Sequence, residues 1–219
     1  MVDMAKYGTF IWLSILALAA GFLIYPATNT LFLETTASHP YIMGFVKFAI
    51  LSMMGEFLAA RLVYGKWTKV RGMIPKMVVW GIVGVMIVAM FSVFSHGVDG
   101  AAADGLLYLG GSKFLRAFLI SAIMNLTFAP VFMASHRITD LYIDNLYAGK
   151  ATSVSQIIGT TDWGKFIKDI VVKTIPLFWI PAHTITFMLP GGYKVLFAAS
   201  LSIVLGLILS FAKMKNKGE

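Results

Sequence analysis

The chain has 219 residues, of which 58% are hydrophobic and 13% are charged, and its formal net charge is +8. A soluble globular domain has about 45–50% apolar and about 25% charged residues, so this composition excludes an ordinary soluble domain and predicts an integral membrane protein. The basic residues are spread between apolar stretches, which excludes a nucleic-acid-binding face, and the absence of cysteine excludes disulfides, thiolate metal sites and cysteine nucleophiles.

Six apolar stretches are long enough to cross a bilayer as helices, because about 20 residues span the hydrocarbon core. In chain order they lie at residues 9–33, 41–64, 76–95, 113–135, 166–189 and 193–212. The first contains Ala17 to Ala19 in the pattern of a signal-peptide cleavage site, but its apolar run continues to Leu33, so we interpret it as an uncleaved extra N-terminal span. We predict an all-α, polytopic transmembrane helix bundle that forms one membrane domain over residues 1–219.

The fifth stretch differs from the others because prolines interrupt it. Pro176 and Pro181 lie inside the stretch on either side of its centre, His183 comes shortly after, and Pro190 follows its end. Each proline removes a backbone hydrogen bond from a helix. The sequence therefore predicts either a kinked helix that spans the membrane or a re-entrant segment.

Loop charge predicts the orientation of the chain. The segment between the second and third stretches is basic, with Lys66, Lys69, Arg71 and Lys76, whereas the segment "SHGVDGAAADG" before the fourth stretch has only acidic charges. Because cytoplasmic loops of membrane proteins are enriched in Lys and Arg, the basic segment should be cytoplasmic, and with six spans both termini are then cytoplasmic. We predict a multi-pass protein of the cell inner (plasma) membrane, with an organelle membrane as the alternative.

Small residues recur at helical spacing in the last stretch. They are Ala198, Ser202, Gly206 and Ser210. Such a stripe lets a second helix approach closely inside a membrane, and Gly81 and Gly84 indicate a similar contact for the third stretch.

Several segments, in order, resemble the Mpv-seventeen and peroxisomal-membrane-protein family, which also has prokaryotic members. The matching residues are Ser38-His39-Pro40, Gly55-Glu56, Phe128-Ala129-Pro130, the run TDWGKFIKDI, and Trp179, Pro181, Phe187, Pro190 and Lys194. The resemblance covers residues 38–213 and leaves the first span as an extra element. It departs from the family pattern where Ile180 separates Trp179 from Pro181. What the resemblance implies is a pore or channel for small solutes.

Glu56 is an acidic residue inside the second apolar stretch. It shares a helix face with Ala49 and Ser52, since successive residues are rotated by about 100°, and this face should contact protein or water and not lipid. At about 1.5 Å per residue, the depth of Glu56 in its span matches that of Lys173 in the fifth. We predict a buried charge cluster of Glu56, Lys173 and Asp169 that forms a constriction in a pore or, alternatively, fixes helix packing.

The fourth stretch carries a stripe of polar residues. Ser121, Asn125, His136 and Thr139 fall on one side of an ideal helix, with Pro130 between them. The stripe predicts either the lining of a water path or hydrogen bonds that hold helices together, which is a common use of Asn, Ser and His in membrane helices.

No residue pattern indicates a cofactor or a metal ion, since the four histidines show no i+3 or i+4 pairing and no HExxH motif. A phosphate loop, a nucleophile elbow and a carboxylate dyad are also missing, so we do not predict an enzyme. We predict a membrane channel or pore for small polar solutes or ions. The alternatives are a structural or assembly protein, a substrate-specific transporter and an intramembrane enzyme. The expected partners are the lipid bilayer and the small polar solute, and a homo-oligomer is left open.

Overall fold

A computed structural model of the protein describes the backbone of residues 4–215 and the side chains of residues 7–208. Within this part of the chain the regular structure is helical, without a strand, which confirms the all-α prediction. The α-helices are α1 (Met4–Ile24), α2 (Pro26–Ser38), α3 (Pro40–Tyr64), α4 (Met73–Ala103), α5 (Lys113–Thr127), α6 (Ala129–Tyr147), α7 (Val154–Thr160), α8 (Trp163–Phe166), α9 (Ile180–Met188) and α10 (Gly191–Lys215), and a π-helix (Ile167–Trp179) joins α8 to α9.

Among the described residues, five helical stretches are long and apolar enough to cross a membrane. They are Tyr7–Ile24, Pro40–Tyr64, Met73–Ala103, Trp163–Met188 and Gly191–Ile208, and α5 with α6 makes a sixth if this bent pair is one span. These apolar helices indicate a membrane protein. The orientation of the two termini stays a prediction, and the basic C-terminal tail lies outside the described side chains.

The chain divides into two compact units. The first contains the described residues up to Val85 together with those from Ala199 onward, and the second contains Met86–Ala198. In the first unit α2 packs against both α1 and α3, and in the second unit α5 packs along α9 over most of its length. Each unit has its own set of buried polar side chains.

The predicted first span, 9–33, is wrong in its end point. Helix α1 ends at Ile24, and Pro26 begins α2, because proline lacks the N–H that would continue the hydrogen-bond ladder. The carbonyl of Phe22, which residue 26 would otherwise bond, accepts the Thr28 hydroxyl at 2.5 Å, and the Leu23 carbonyl accepts the Asn29 amide at 2.6 Å. The side chains after the proline thus satisfy the carbonyls that the break exposes.

A sharp bend occurs in the fourth stretch and not in the fifth. Helices α5 and α6 meet at an angle of 49°, next to Pro130 in the first turn of α6, and proline is the usual cause of such a bend. The fifth stretch forms one candidate span, in which Pro176 lies inside the π-helix and Pro181 in the first turn of α9. Whether the two ends of that stretch lie on opposite sides of a membrane stays a prediction.

Small residues allow close helix contacts in the first unit, as predicted. A side chain at Gly55 would lie 3.0 Å from the backbone oxygen of Ser202, and one at Gly206 would lie 3.1 Å from the backbone oxygen of Gly55. Likewise, a side chain at Gly84 would overlap the carbonyl of Gly44. The stripe of α10 therefore packs on α3 at Ser202 and Gly206, while Ser210 lies outside the described side chains.

Candidate functional site

The second unit contains a buried group of neutral polar side chains between α5 and α9. Ser121 and Asn125 lie one turn apart on α5, and His183 lies in the first turns of α9. All three are almost fully buried, with exposed fractions of 0%, 1% and 7%. We call Ser121, Asn125 and His183 the polar cluster.

Hydrogen bonds connect the members of the polar cluster. The Asn125 side-chain amide donates to the backbone oxygen of Ser121 at 2.8 Å, and its two terminal atoms lie 3.0 and 3.2 Å from His183 Nδ1. If Nδ1 is unprotonated it accepts from the Asn125 amide, and if it carries the proton it donates to the Asn125 oxygen. One hydrogen bond between the two side chains is therefore available in either tautomer.

The carbonyl of Ile180 completes the link between the two helices. It accepts the Ser121 hydroxyl at 2.7 Å and the Thr184 hydroxyl at 2.7 Å, which its two lone pairs allow. Ile180 directly precedes Pro181 in the chain. The polar cluster thus includes a backbone acceptor as well as side chains.

Aromatic rings enclose the imidazole. The ring of Trp179 stacks on His183 with centroids 5.3 Å apart, and the ring of Phe91 meets it edge-on at 5.9 Å. The indole Nε1 of Trp179 is buried and has no hydrogen-bond partner among the described residues. A polar molecule of the right size would find an available donor at this atom.

The predicted polar stripe of the fourth stretch is divided by the bend. Ser121 and Asn125 lie before it and belong to the polar cluster, whereas His136 and Thr139 lie after it, on α6. There the Thr139 hydroxyl donates to the Ser135 backbone oxygen of its own helix at 2.6 Å, and the His136 ring stacks on Phe132. The straight helix assumed for the stripe does not exist, because Pro130 interrupts it.

Glu56 lies in a charged group within the first unit. Trp80 Nε1 donates to its Oε1 at 3.1 Å, and Lys76 Nζ lies 3.6 Å from its Oε2. The side chain of Lys76 is 8% exposed and that of Glu56 is 26% exposed. Glu56 thus has a cationic partner in Lys76, whose long side chain extends from the first turn of α4, and the predicted contact of Glu56 with Lys173 stays a prediction. We call Glu56, Lys76 and Trp80 the charged cluster.

The other two residues of the predicted cluster pair with each other. Lys173 Nζ lies 3.6 Å from Asp169 Oδ1, four residues earlier in the same π-helix. Their side chains are 58% and 41% exposed. The contact between Asp169 and Lys173 belongs to the predicted cluster, and both side chains are largely exposed within the second unit.

Two further contacts of cationic side chains were not predicted from the sequence. Lys47 is buried, and its Nζ donates to the Thr36 hydroxyl at 2.8 Å and lies 4.3 Å from the Phe32 ring centroid. Arg116 forms a two-point pair with Asp99. Asp99 belongs to the acidic segment before the fourth stretch, and it is helical because α4 continues as far as Ala103. Its helical position is what brings it to Arg116.

Within the described residues, no group of three or more His, Asp or Glu side chains could hold a metal ion. Comparison with known protein families, with curated proteins and with solved structures finds no match for this chain. The described residues form an all-helical protein with five helical stretches that are long and apolar enough to cross a membrane, which indicates a membrane protein.

Proposed function

We propose that the protein is a membrane channel for small polar solutes, with the polar cluster as part of its path. The observation that carries this proposal is a hydrogen-bonding group of Ser121, Asn125 and His183 buried between two apolar helices. Polar side chains inside membrane helices are costly and commonly mark solute pathways. We also propose that the protein is related to the Mpv-seventeen and peroxisomal-membrane-protein family and that it lies in the cell inner membrane.

The chemistry of the cluster favours uncharged solutes over ions. Two members of the cluster, Ser121 and Asn125, and the adjacent Thr184 are neutral at every physiological pH, and each can both donate and accept a hydrogen bond. A solute with hydroxyl or amide groups could replace the bonds that these side chains now make with one another. The buried Trp179 Nε1 adds a donor that no described residue uses. Selection by hydrogen bonding at close quarters is how pores recognise neutral solutes.

A structural role is the second candidate, and a specific observation favours it. The bonds of Ser121 and Asn125 run within α5 and across to α9, two helices that pack closely against each other. Hydrogen bonds across membrane helices of this kind stabilise their association. A purely structural cluster would affect folding when altered and would have no effect on flux in protein that remains folded.

Solute flux in liposomes tests the proposal. Purified protein is reconstituted, and the entry of glycerol, urea and K⁺ is followed by light scattering against protein-free liposomes. We expect faster entry of the two neutral solutes and little change for K⁺. Entry of all three at the protein-free rate would contradict the channel, saturable entry of one solute alone would indicate a transporter, and chemical turnover of lipid without flux would indicate an enzyme.

A further inference from the structure

A second candidate site lies in the same unit, at the ends of α5 and α9. A cavity of about 260 Å³ is lined by Lys113, Arg116, Phe187 and Met188. Lys113 begins α5 and Met188 ends α9, so the cavity lies about one to two helical turns from the polar cluster, toward these helix ends. It combines two cationic side chains with an apolar wall.

Arg116 is held in place at the cavity. Its Nε and Nη2 donate to Asp99 Oδ1 and Oδ2 at 2.6 and 2.5 Å, in the two-point geometry that gives Arg–carboxylate pairs their strength. The second terminal nitrogen, Nη1, makes no hydrogen bond to a described residue. The ion pair therefore orients the guanidinium and leaves a donor for an additional acceptor.

Two lysines add positive charge at the same place. Lys113 lines the cavity and has no ion-pair partner among the described side chains. Lys194 Nζ lies 5.9 Å from the ring centroid of Phe187, a lining residue, and interacts electrostatically with both Arg116 and Asp99. Lys113 and Arg116 line the cavity, Lys194 lies near its Phe187 wall, and Asp99 is the carboxylate that pairs with Arg116, so these four side chains carry two positive charges in excess.

We propose that this cavity binds a phosphate group, with Lys113, Arg116 and Lys194 donating to its oxygens and Phe187 and Met188 contacting the attached apolar part. Two excess positive charges match the charge of a phosphate monoester, and Arg and Lys are the side chains that bind phosphate best. The first turn of α5 adds the positive end of its helix dipole.

The size and position of the cavity define the class of ligand. Sites for drug-sized molecules are commonly about 300–1,000 Å³, so this cavity holds a headgroup-sized piece of a ligand. The ends of membrane-spanning helices lie at the level of lipid phosphates. The phosphate can belong either to an anionic lipid or to a soluble phosphorylated molecule. This proposal does not rest on the proposed channel function, because its test measures binding.

The test uses the full-length protein purified in an uncharged detergent. The midpoint of thermal unfolding is followed during titration with dihexanoyl phosphatidic acid, dihexanoyl phosphatidylcholine or glycerol 3-phosphate. We expect phosphatidic acid to raise the midpoint with an affinity at least about tenfold higher than that of phosphatidylcholine, since hydrogen bonds to charged groups are the strong ones. An equal response to glycerol 3-phosphate assigns the site to soluble phosphates, and a response to phosphatidic acid alone assigns it to lipids.

Substitutions connect the binding to the cavity. The variant with Lys113→Gln and Lys194→Gln should lose at least about tenfold in affinity for the phosphate ligand, because it removes two charged donors. Lys150→Gln removes an exposed lysine of the same unit and should bind as the wild type does. For each variant, the shift caused by the ligand is measured from the unfolding midpoint of the same variant without ligand. Equal responses to the two lipids, wild-type affinity in the double variant, or no response to any phosphate ligand would overturn the proposal.

Discussion

Both units bury polar side chains among apolar helices, but they use different chemistry. The charged cluster of the first unit pairs Glu56 with Lys76 and Trp80, whereas the polar cluster of the second unit contains only neutral groups. Removing one member of a buried ion pair leaves an uncompensated charge, while removing one member of a neutral network leaves an unsatisfied hydrogen bond. The charged cluster should therefore be more sensitive to substitution, and the polar cluster should be better suited to exchange hydrogen-bond partners with a passing solute.

The largest expected effect is on the charged cluster. Glu56→Gln should lower the free energy of unfolding by about 3 kcal/mol, because Lys76 would remain buried without its carboxylate. The measurement is an unfolding titration in mixed micelles. Glu34→Gln, which changes an exposed glutamate of α2, is the matched control and should have little effect.

A double-mutant cycle sharpens this prediction. Adding Lys76→Met to Glu56→Gln should recover part of the lost stability, because the second change removes the unpaired charge. Strictly additive losses would show that Glu56 and Lys76 do not interact, and the pairing described for the first unit would then be wrong.

A substitution in the polar cluster should lower the free energy of unfolding by a smaller amount. Asn125→Leu removes the side chain that bonds Ser121 and His183 and should cost about 1.5 kcal/mol, near the upper end for hydrogen bonds between membrane helices. The same titration measures it. Thr127→Val, which removes an exposed hydroxyl of the same helix, is the control, and a loss for Asn125→Leu no larger than for this control would contradict the network.

The Asp99–Arg116 pair should contribute less to the free energy of unfolding than the polar cluster does. Its side chains are 44% and 34% exposed, so water and salt weaken it, and Asp99→Asn should cost about 1 kcal/mol. Comparing unfolding at low and high salt checks the cause, since the cost should shrink as salt is added. Asp104→Asn, an exposed carboxylate just beyond α4, provides the baseline, and an effect that does not change with salt would count against an ionic origin.

The smallest effect should come from Lys173. Lys173→Met removes an exposed pair with Asp169 and should change the free energy of unfolding by less than about 0.5 kcal/mol. Lys168→Met, on the same helix, should give a similar result. A loss as large as that of Glu56→Gln would mean that Lys173 has a buried acidic partner after all, as the sequence alone had suggested.

The sequence predicted which stretches are helical and apolar, because composition and length determine that directly. The end of the first helix was not predicted correctly. A count of apolar residues does not show that one helix ends before Pro26 and another begins there. Thr28 and Asn29 were the available signal, because polar side chains just after a proline can bond the carbonyls that it exposes.

The partners of buried groups were harder to predict. Ser121 and Asn125 are four residues apart, so their proximity follows from helix geometry, but His183 joins them only through the register of α9 against α5. Matching depths pointed from Glu56 to Lys173 and did not reveal Lys76, because it does not consider how far a lysine side chain reaches. The sequence places Lys76 in the basic segment between the second and third apolar stretches, whereas in the structure Lys76 lies inside α4.

Solute flux through two variants of α5 tests whether the solute path runs through the polar cluster. Wild-type, Asn125→Leu and Thr127→Val proteins are reconstituted at equal density, and glycerol entry is measured at a temperature at which all three remain folded. The proposed path through the polar cluster predicts that Asn125→Leu slows entry at least about tenfold while Thr127→Val matches the wild type. Equal rates for all three folded proteins would contradict a path through Asn125 and would leave the cluster with a structural role.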